Sequence, residues 1–183
     1  MSDTWAAHLA REEARYRDGE ARLDPSDADS HQRQLTRLGN AANGAGLALL
    51  MQGRSDEAAT WFERAAGRYR ESFPEAPPAS WGRPIGAVKA LVLAGDWEKA
   101  EEAARWALET GAPEAESPIG RYAAAVEAVL ASFETRDEYL EDLPVADTVL
   151  VLQALAERRG MTADLDSPLL PTTGASSAGV ARP

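Results

Sequence analysis

Cysteine is absent from the 183-residue chain, which excludes disulfides and thiolate metal sites. Histidine occurs twice, at His8 and His31, too few for a histidine-rich metal site. Lysine is almost as scarce: of 19 basic residues only Lys89 and Lys99 are lysines. No apolar run approaches the ~20 residues needed to span a bilayer. The opening MSDTWAAHLAREEARYRD has no basic start followed by an apolar stretch, so it does not read as a secretory signal, and a cytoplasmic location is expected.

Acid dominates what charge there is. Thirty Asp and Glu against 19 Lys and Arg give a formal charge of −11. Such a surface repels phosphate backbones, which disfavours nucleic acid as a partner and admits a basic protein. Hydrophobic residues at 44% suffice for a core in a chain of this length.

Helical periodicity runs through nearly the whole chain, and no stretch alternates as a strand would. About eight helices are expected. The first spans 4–17, and the Asp- and Gly-containing stretch 18–30 is a linker. A long helix follows over 31–52, stopped by Gly53. Ser55 is placed to cap a third helix reaching Ser72, and Ser80 a fourth with Pro84 in its first turn. Gly95 ends the fourth, and Asp96 begins a fifth running to Thr110. Ser117 and Pro118 open a sixth. Thr135 and Glu138 have capping-box spacing for a short seventh, and Pro144 opens an eighth ending near Gly160. One domain over 1–165 is expected, followed by a flexible tail over 166–183.

An internal repeat is the most informative feature. GLALLMQGRSDEAATWFERA (Gly46 to Ala65) aligns without a gap on VKALVLAGDWEKAEEAARWA (Val88 to Ala107) at an offset of 42, and AVEAVL (Ala125 to Leu130) opens a weaker third copy. Gly46, Gly53, Ala58, Phe62 and Ala65 fall where the tetratricopeptide repeat places a small residue, a turn glycine, a small, a large and again a small residue. The chain over about 31–143 therefore resembles a tetratricopeptide array. Val88 and Ala104 depart from that pattern in the second copy, and the 42-residue offset exceeds its usual 34. The resemblance implies an all-α stack of antiparallel helix hairpins, a short α-solenoid working as a protein-binding adaptor. It implies that the first helix of each pair lines a concave groove, presenting Asn40, Asn43, Leu47, Leu50 and Met51, then Ile85, Lys89 and Val92. Arg83, beside the Pro-Ile-Gly stretch at 84–86, and Arg121, beside that at 118–120, would add positive charge. A short array of this kind can cover its ends by self-association, so a homo-oligomer is a further expectation.

A fainter likeness concerns the end of the chain. Arg159, Gly160, Ser167, Leu170 and Pro171 resemble the C-terminal pattern of a family of bacterial toxin-immunity proteins, immunity protein 49. That likeness implies a protein which occludes a toxin.

Other residue clusters point to no chemistry. Asp24, Asp27, Asp29 and His31 lack the glycine and glutamate that a calcium loop requires, and GNAANGAG (39–46) lacks the lysine and the preceding strand of a phosphate loop. Neither histidine lies near a nucleophile-elbow pattern. No cofactor and no metal are expected, and an enzyme on a helical scaffold ranks behind the two binding roles. Of five tryptophans (Trp5, Trp61, Trp81, Trp97 and Trp106) most read as packing between helices, the exception being Trp81, which follows the proline-rich loop at the mouth of a helix.

Overall fold

A computed structural model describes residues 2–110, 122–139, 142–160 and 163–171. Among them are helices α1 (Ser2–Glu20), α2 (Ala28–Leu50), α3 (Ser55–Ser72), α4 (Gly82–Ala94), α5 (Trp97–Glu109), α6 (Tyr122–Glu134) and α7 (Asp147–Glu157), and no strand. From α1 to α5 each helix packs on the next, while α7 packs on both α4 and α6.

Helix boundaries follow local capping chemistry. Asp27, not a residue near His31, starts α2: its carboxylate accepts from the Asp29 and Ser30 backbone N–H groups, satisfying donors that would otherwise be orphaned. The expected linker over 18–30 shrinks accordingly, because α1 also runs on to Glu20. Ser55 is the first residue of α3 rather than its cap; the preceding Arg54 forks onto Glu57 through bonds of 2.7 and 2.6 Å. Ser80 caps nothing either, since its hydroxyl donates to the Pro77 carbonyl at 2.6 Å. Gly53 and Gly95 both take positive φ, 74° and 75°, which supports their expected part as helix stops.

Asp96 caps α5, accepting from the Lys99 N–H at 3.1 Å while its other oxygen pairs with Lys99 Nζ at 2.6 Å. The Lys99 side chain first, and its backbone N–H second, hold the Asp96 carboxyl below its ordinary range. A carboxyl lowered in the folded state adds stability above its unfolded pKa of ~4, and that stability is lost as pH falls through the lower folded value. Asp96→Ala is expected to cost ~1 kcal/mol in urea denaturation at pH 7. The gap between mutant and wild type should narrow below pH ~4; a gap that stays constant down to pH 2 would contradict the cap.

Small residues set the helix crossings. A Cβ on Gly46 would lie 2.6 Å from the Phe62 ring, and one on Gly39 would lie 2.7 Å from Tyr69. The same Tyr69 ring faces Gly86 of α4, where a Cβ would meet it at 3.1 Å. Thus α3 lays two aromatic rings against α2, and one of them also fills the gap towards α4. Three of the tryptophans join separate segments: Trp61 meets Tyr16 edge-on at 5.3 Å, Trp106 meets Phe73 at 5.3 Å, and Arg158 stacks 4.3 Å over Trp97.

Two expectations for the C-terminal third change. Residues 135–139 form no helix; the Thr135 hydroxyl donates back to the Ala131 carbonyl, closing α6 instead of capping a new one. The helix expected from Pro144 starts only at Asp147, because residues 143–146 are not helical: the Val145 N–H turns back to the Leu143 carbonyl at 2.8 Å and the Ala146 N–H donates to the Leu169 carbonyl at 3.0 Å. Nor does a tail begin at 166. Leu169 and Leu170 are buried in a second apolar cluster with Leu130, Phe133, Ala146 and Val149. Ser167 fastens this return, its hydroxyl donating to Glu134 at 2.7 Å. The helix start expected at Ser117 and Pro118, Arg121, and residues 172–183 lie outside the described residues.

Candidate functional site

Helices α2 and α4 are both in contact with α3 but leave a cavity of about 450 Å³ between them. Thr36, Asn40 and Asn43 recur at helical spacing along α2, and Arg83, Gly86 and Lys89 do so along α4, so each helix turns one stripe towards the space. Tyr69, wedged between Gly39 and Gly86, lines the cavity from α3. Asp147, at the start of α7, lines the far end.

Of the residues expected to bind a partner, the cavity gathers Asn40, Asn43, Arg83, Ile85 and Lys89. Leu47 and Val92 are instead buried in the main core and present nothing to a ligand, so the groove position expected for them is corrected. The cavity does not extend that far along α2, since Leu47 shares its core with Val145 and Val151. Leu50 and Met51 are half-buried against that core and do not line the cavity.

The two cations of the cavity stand in different electrostatic positions. Lys89 donates to Asp147 at 2.6 Å and to the Thr148 hydroxyl at 3.2 Å, which ties α4 to α7 and neutralises the ammonium. Arg83 has only neutral partners among the described residues. Its Nε donates to the Thr36 hydroxyl at 2.8 Å and its Nη2 to the Gln32 side-chain carbonyl. Those acceptors are themselves held: Thr36 donates to the Gln32 backbone carbonyl at 2.9 Å, and the Gln32 amide donates to Asp29 at 3.1 Å. Partial burial pulls the Arg83 guanidinium below its ordinary pKa, although it remains a cation at any physiological pH.

The asparagines differ too. Asn40 accepts from the Tyr69 hydroxyl at 2.9 Å. Asn43 is only 6% exposed, lines the cavity, and makes no side-chain hydrogen bond among the described residues. Its amide is not sealed from solvent: among the described residues the one side-chain polar atom both inaccessible and unpaired is Gln34 Oε1, so the Asn43 donors and acceptor are open to whatever fills the cavity. The tetratricopeptide resemblance points to Asn43, and Thr36 and Gln32 lie on the same stripe of α2 by spacing. Tyr69 and Asp147 lie beyond both, because each joins the site through a fold-level contact.

A second crevice, of about 280 Å³, lies between α1 and α2 beside Arg15, Arg22 and Arg37. All three arginines are exposed to solvent, and Arg15 is paired with the fully buried Glu12. Among the described residues no group of acids and histidines is placed to hold a metal, and no helix is long and apolar enough to cross a membrane. No protein-family model, curated protein or solved structure matches this chain.

Proposed function

We propose that the protein is a tetratricopeptide-like binding module that takes a short segment of a partner protein into the cavity between α2 and α4. The observation that carries this reading is Asn43: a residue only 6% exposed that lines the cavity, makes no side-chain hydrogen bond among the described residues, and keeps its amide open to the cavity rather than sealed in the core. Peptide backbone offers both the donor and the acceptor that such an amide lacks. The array is a modified one. Where a tetratricopeptide groove runs on, Asp147 lines the far end of the cavity and pairs with Lys89 of α4. Six residues separate Arg83 from Lys89, ~9 Å along the helix, which accommodates about three extended residues. The ligand is therefore short.

The reading as an immunity protein gains no site of its own. Ser167 and Leu170, which carry that likeness, serve in packing the C-terminal return.

Lys89→Ala would uncouple α7 as well as alter the cavity, so a cleaner test fills the space. Gly82 lines the cavity and has nothing within 4 Å of an added Cβ. Gly82→Trp is expected to leave the melting temperature within a few degrees of wild type and to abolish retention of the native partner in a pull-down from the source cell. Partner retained equally by wild type and Gly82→Trp would discard the cavity as the binding site.

A further inference from the structure

We infer that the cavity anchors its ligand through a carboxylate seated on Arg83, so that the bound segment is acidic at that point even though the protein itself is strongly acidic. The inference rests on the reading of the cavity as a peptide site and specifies which chemistry it selects.

Arg83 has donors to spare. A guanidinium carries five N–H donors in one plane. Thr36 and Gln32 take two of them, leaving three with no acceptor among the described residues. Both acceptors are neutral, so they fix the orientation of the fork without compensating its charge. In the same cavity Lys89 and Asp147 cancel each other. The cavity thus holds one uncompensated positive charge, partly withdrawn from water, on a side chain whose geometry is set before any ligand arrives. The other half-buried arginines among the described residues are answered by carboxylates: Arg11 by Glu12, and Arg68 by Glu20 and Glu71.

A planar carboxylate is the anion that matches. It accepts two parallel N–H bonds from an arginine fork, and such charge-assisted pairs are roughly twice as strong as neutral ones. One negative charge balances the one that the cavity leaves open. A phosphate dianion would place its second charge in a cavity that already contains the Asp147 carboxylate. With the carboxylate on Arg83, the Asn40 and Asn43 amides lie one to two helical turns from Thr36 along α2, where they meet the backbone of the following two or three residues. The net charge of −11 acts at a distance and favours a basic partner body; the contact chemistry inside the cavity has the opposite sign.

The carboxylate can belong to an Asp or Glu side chain or to a chain end, and the test separates these. Purified full-length protein is screened against a degenerate hexapeptide library in four arms. These have a free C-terminus, an amidated C-terminus with Asp or Glu fixed internally, an amidated C-terminus with no acid, and an amidated C-terminus with internal phosphoserine. Binding is expected in the first or the second arm, with at least tenfold weaker binding in the neutral arm. Arg83→Gln keeps a polar head for Thr36 and is expected to lose tenfold or more, Arg83→Lys to retain part of the affinity, and Gly82→Trp to lose binding altogether. Thermal melts check that each variant is folded. Side-chain Nε–Hε resonances report the contact directly: peptide binding should shift the signal of Arg83 and not that of Arg54.

Peptides that bind equally with and without an acid, are insensitive to Arg83→Gln and are excluded by Gly82→Trp would overturn the carboxylate anchor while keeping the cavity as a peptide site. Preference for phosphoserine would overturn it as well. Binding unaffected by Gly82→Trp, or no enrichment in any arm, would overturn the cavity reading and the anchor together.

Discussion

Phe62→Ala is expected to destabilise the protein by about 3–5 kcal/mol, the upper range for truncating a single core side chain. Phe62 is fully buried, and its ring occupies the space that Gly46 leaves by having no side chain. Truncation removes the transfer energy of the ring and leaves a cavity that the neighbouring rigid helices cannot close. Phe62→Leu should recover much of the loss. The complementary change, Gly46→Val, attacks the same contact from α2, since a Cβ there already lies 2.6 Å from the ring. Combining Phe62→Ala with Gly46→Val should cost less than the sum of the two, because the valine enters the hole left by the ring. Urea denaturation of wild type, both single mutants and the double mutant measures this coupling. Strict additivity would show that the two residues do not share one packing site.

Nearly as large an effect is expected at the other end of the chain. Leu169→Ala with Leu170→Ala should cost about 4 kcal/mol or more, given ~2–5 kcal/mol for each buried leucine and incomplete additivity between neighbours. These side chains close the second cluster over Leu130, Phe133 and Val149, and the Leu169 carbonyl holds the start of α7 through the Ala146 N–H. The loss should be uneven. Amide exchange should accelerate first in α6 and α7, while α2 and α3, packed around Phe62, stay protected. Uniform acceleration would mean that the two clusters unfold as one unit. A double mutant indistinguishable from wild type would return 166–171 to a loose tail.

How far the sequence can be read depends on the range of the contact concerned. Turn glycines 53 and 95, the Asp96 cap and the pairing of Gly46 with Phe62 are written within one or two helical turns, or within one repeat, and are legible there. The tetratricopeptide resemblance points to Asn40, Asn43 and Lys89, with Arg83 beside them, and the fold brings the four together. Leu47 lies on the same stripe as Asn43 by spacing. Whether it is open or covered depends on the core it joins, which includes Val145 and Val151 about one hundred residues away, and no local pattern records this. The same distance hides the state of the two cations. Lys89 stands out in the sequence because lysine is scarce, yet Asp147 neutralises it. Arg83 stands with neutral partners 47 and 51 residues earlier, and this makes it the receptive one. Proline and serine at 166–171 read locally as a tail, whereas the cluster over Phe133 uses Leu169 and Leu170 as its cover.

The most direct test of the cavity as the binding site is position-resolved photo-crosslinking in the source cell. Ile85, 42% exposed, lines the cavity, whereas Leu108, 53% exposed, lies on α5 and does not. A photoreactive residue is placed at one position or the other, and the crosslinked products are compared by mass spectrometry. A peptide-binding cavity predicts one discrete partner adduct from position 85, absent from position 108 and lost when Gly82→Trp is added. The same partner crosslinking from position 108 and not from 85 would contradict it.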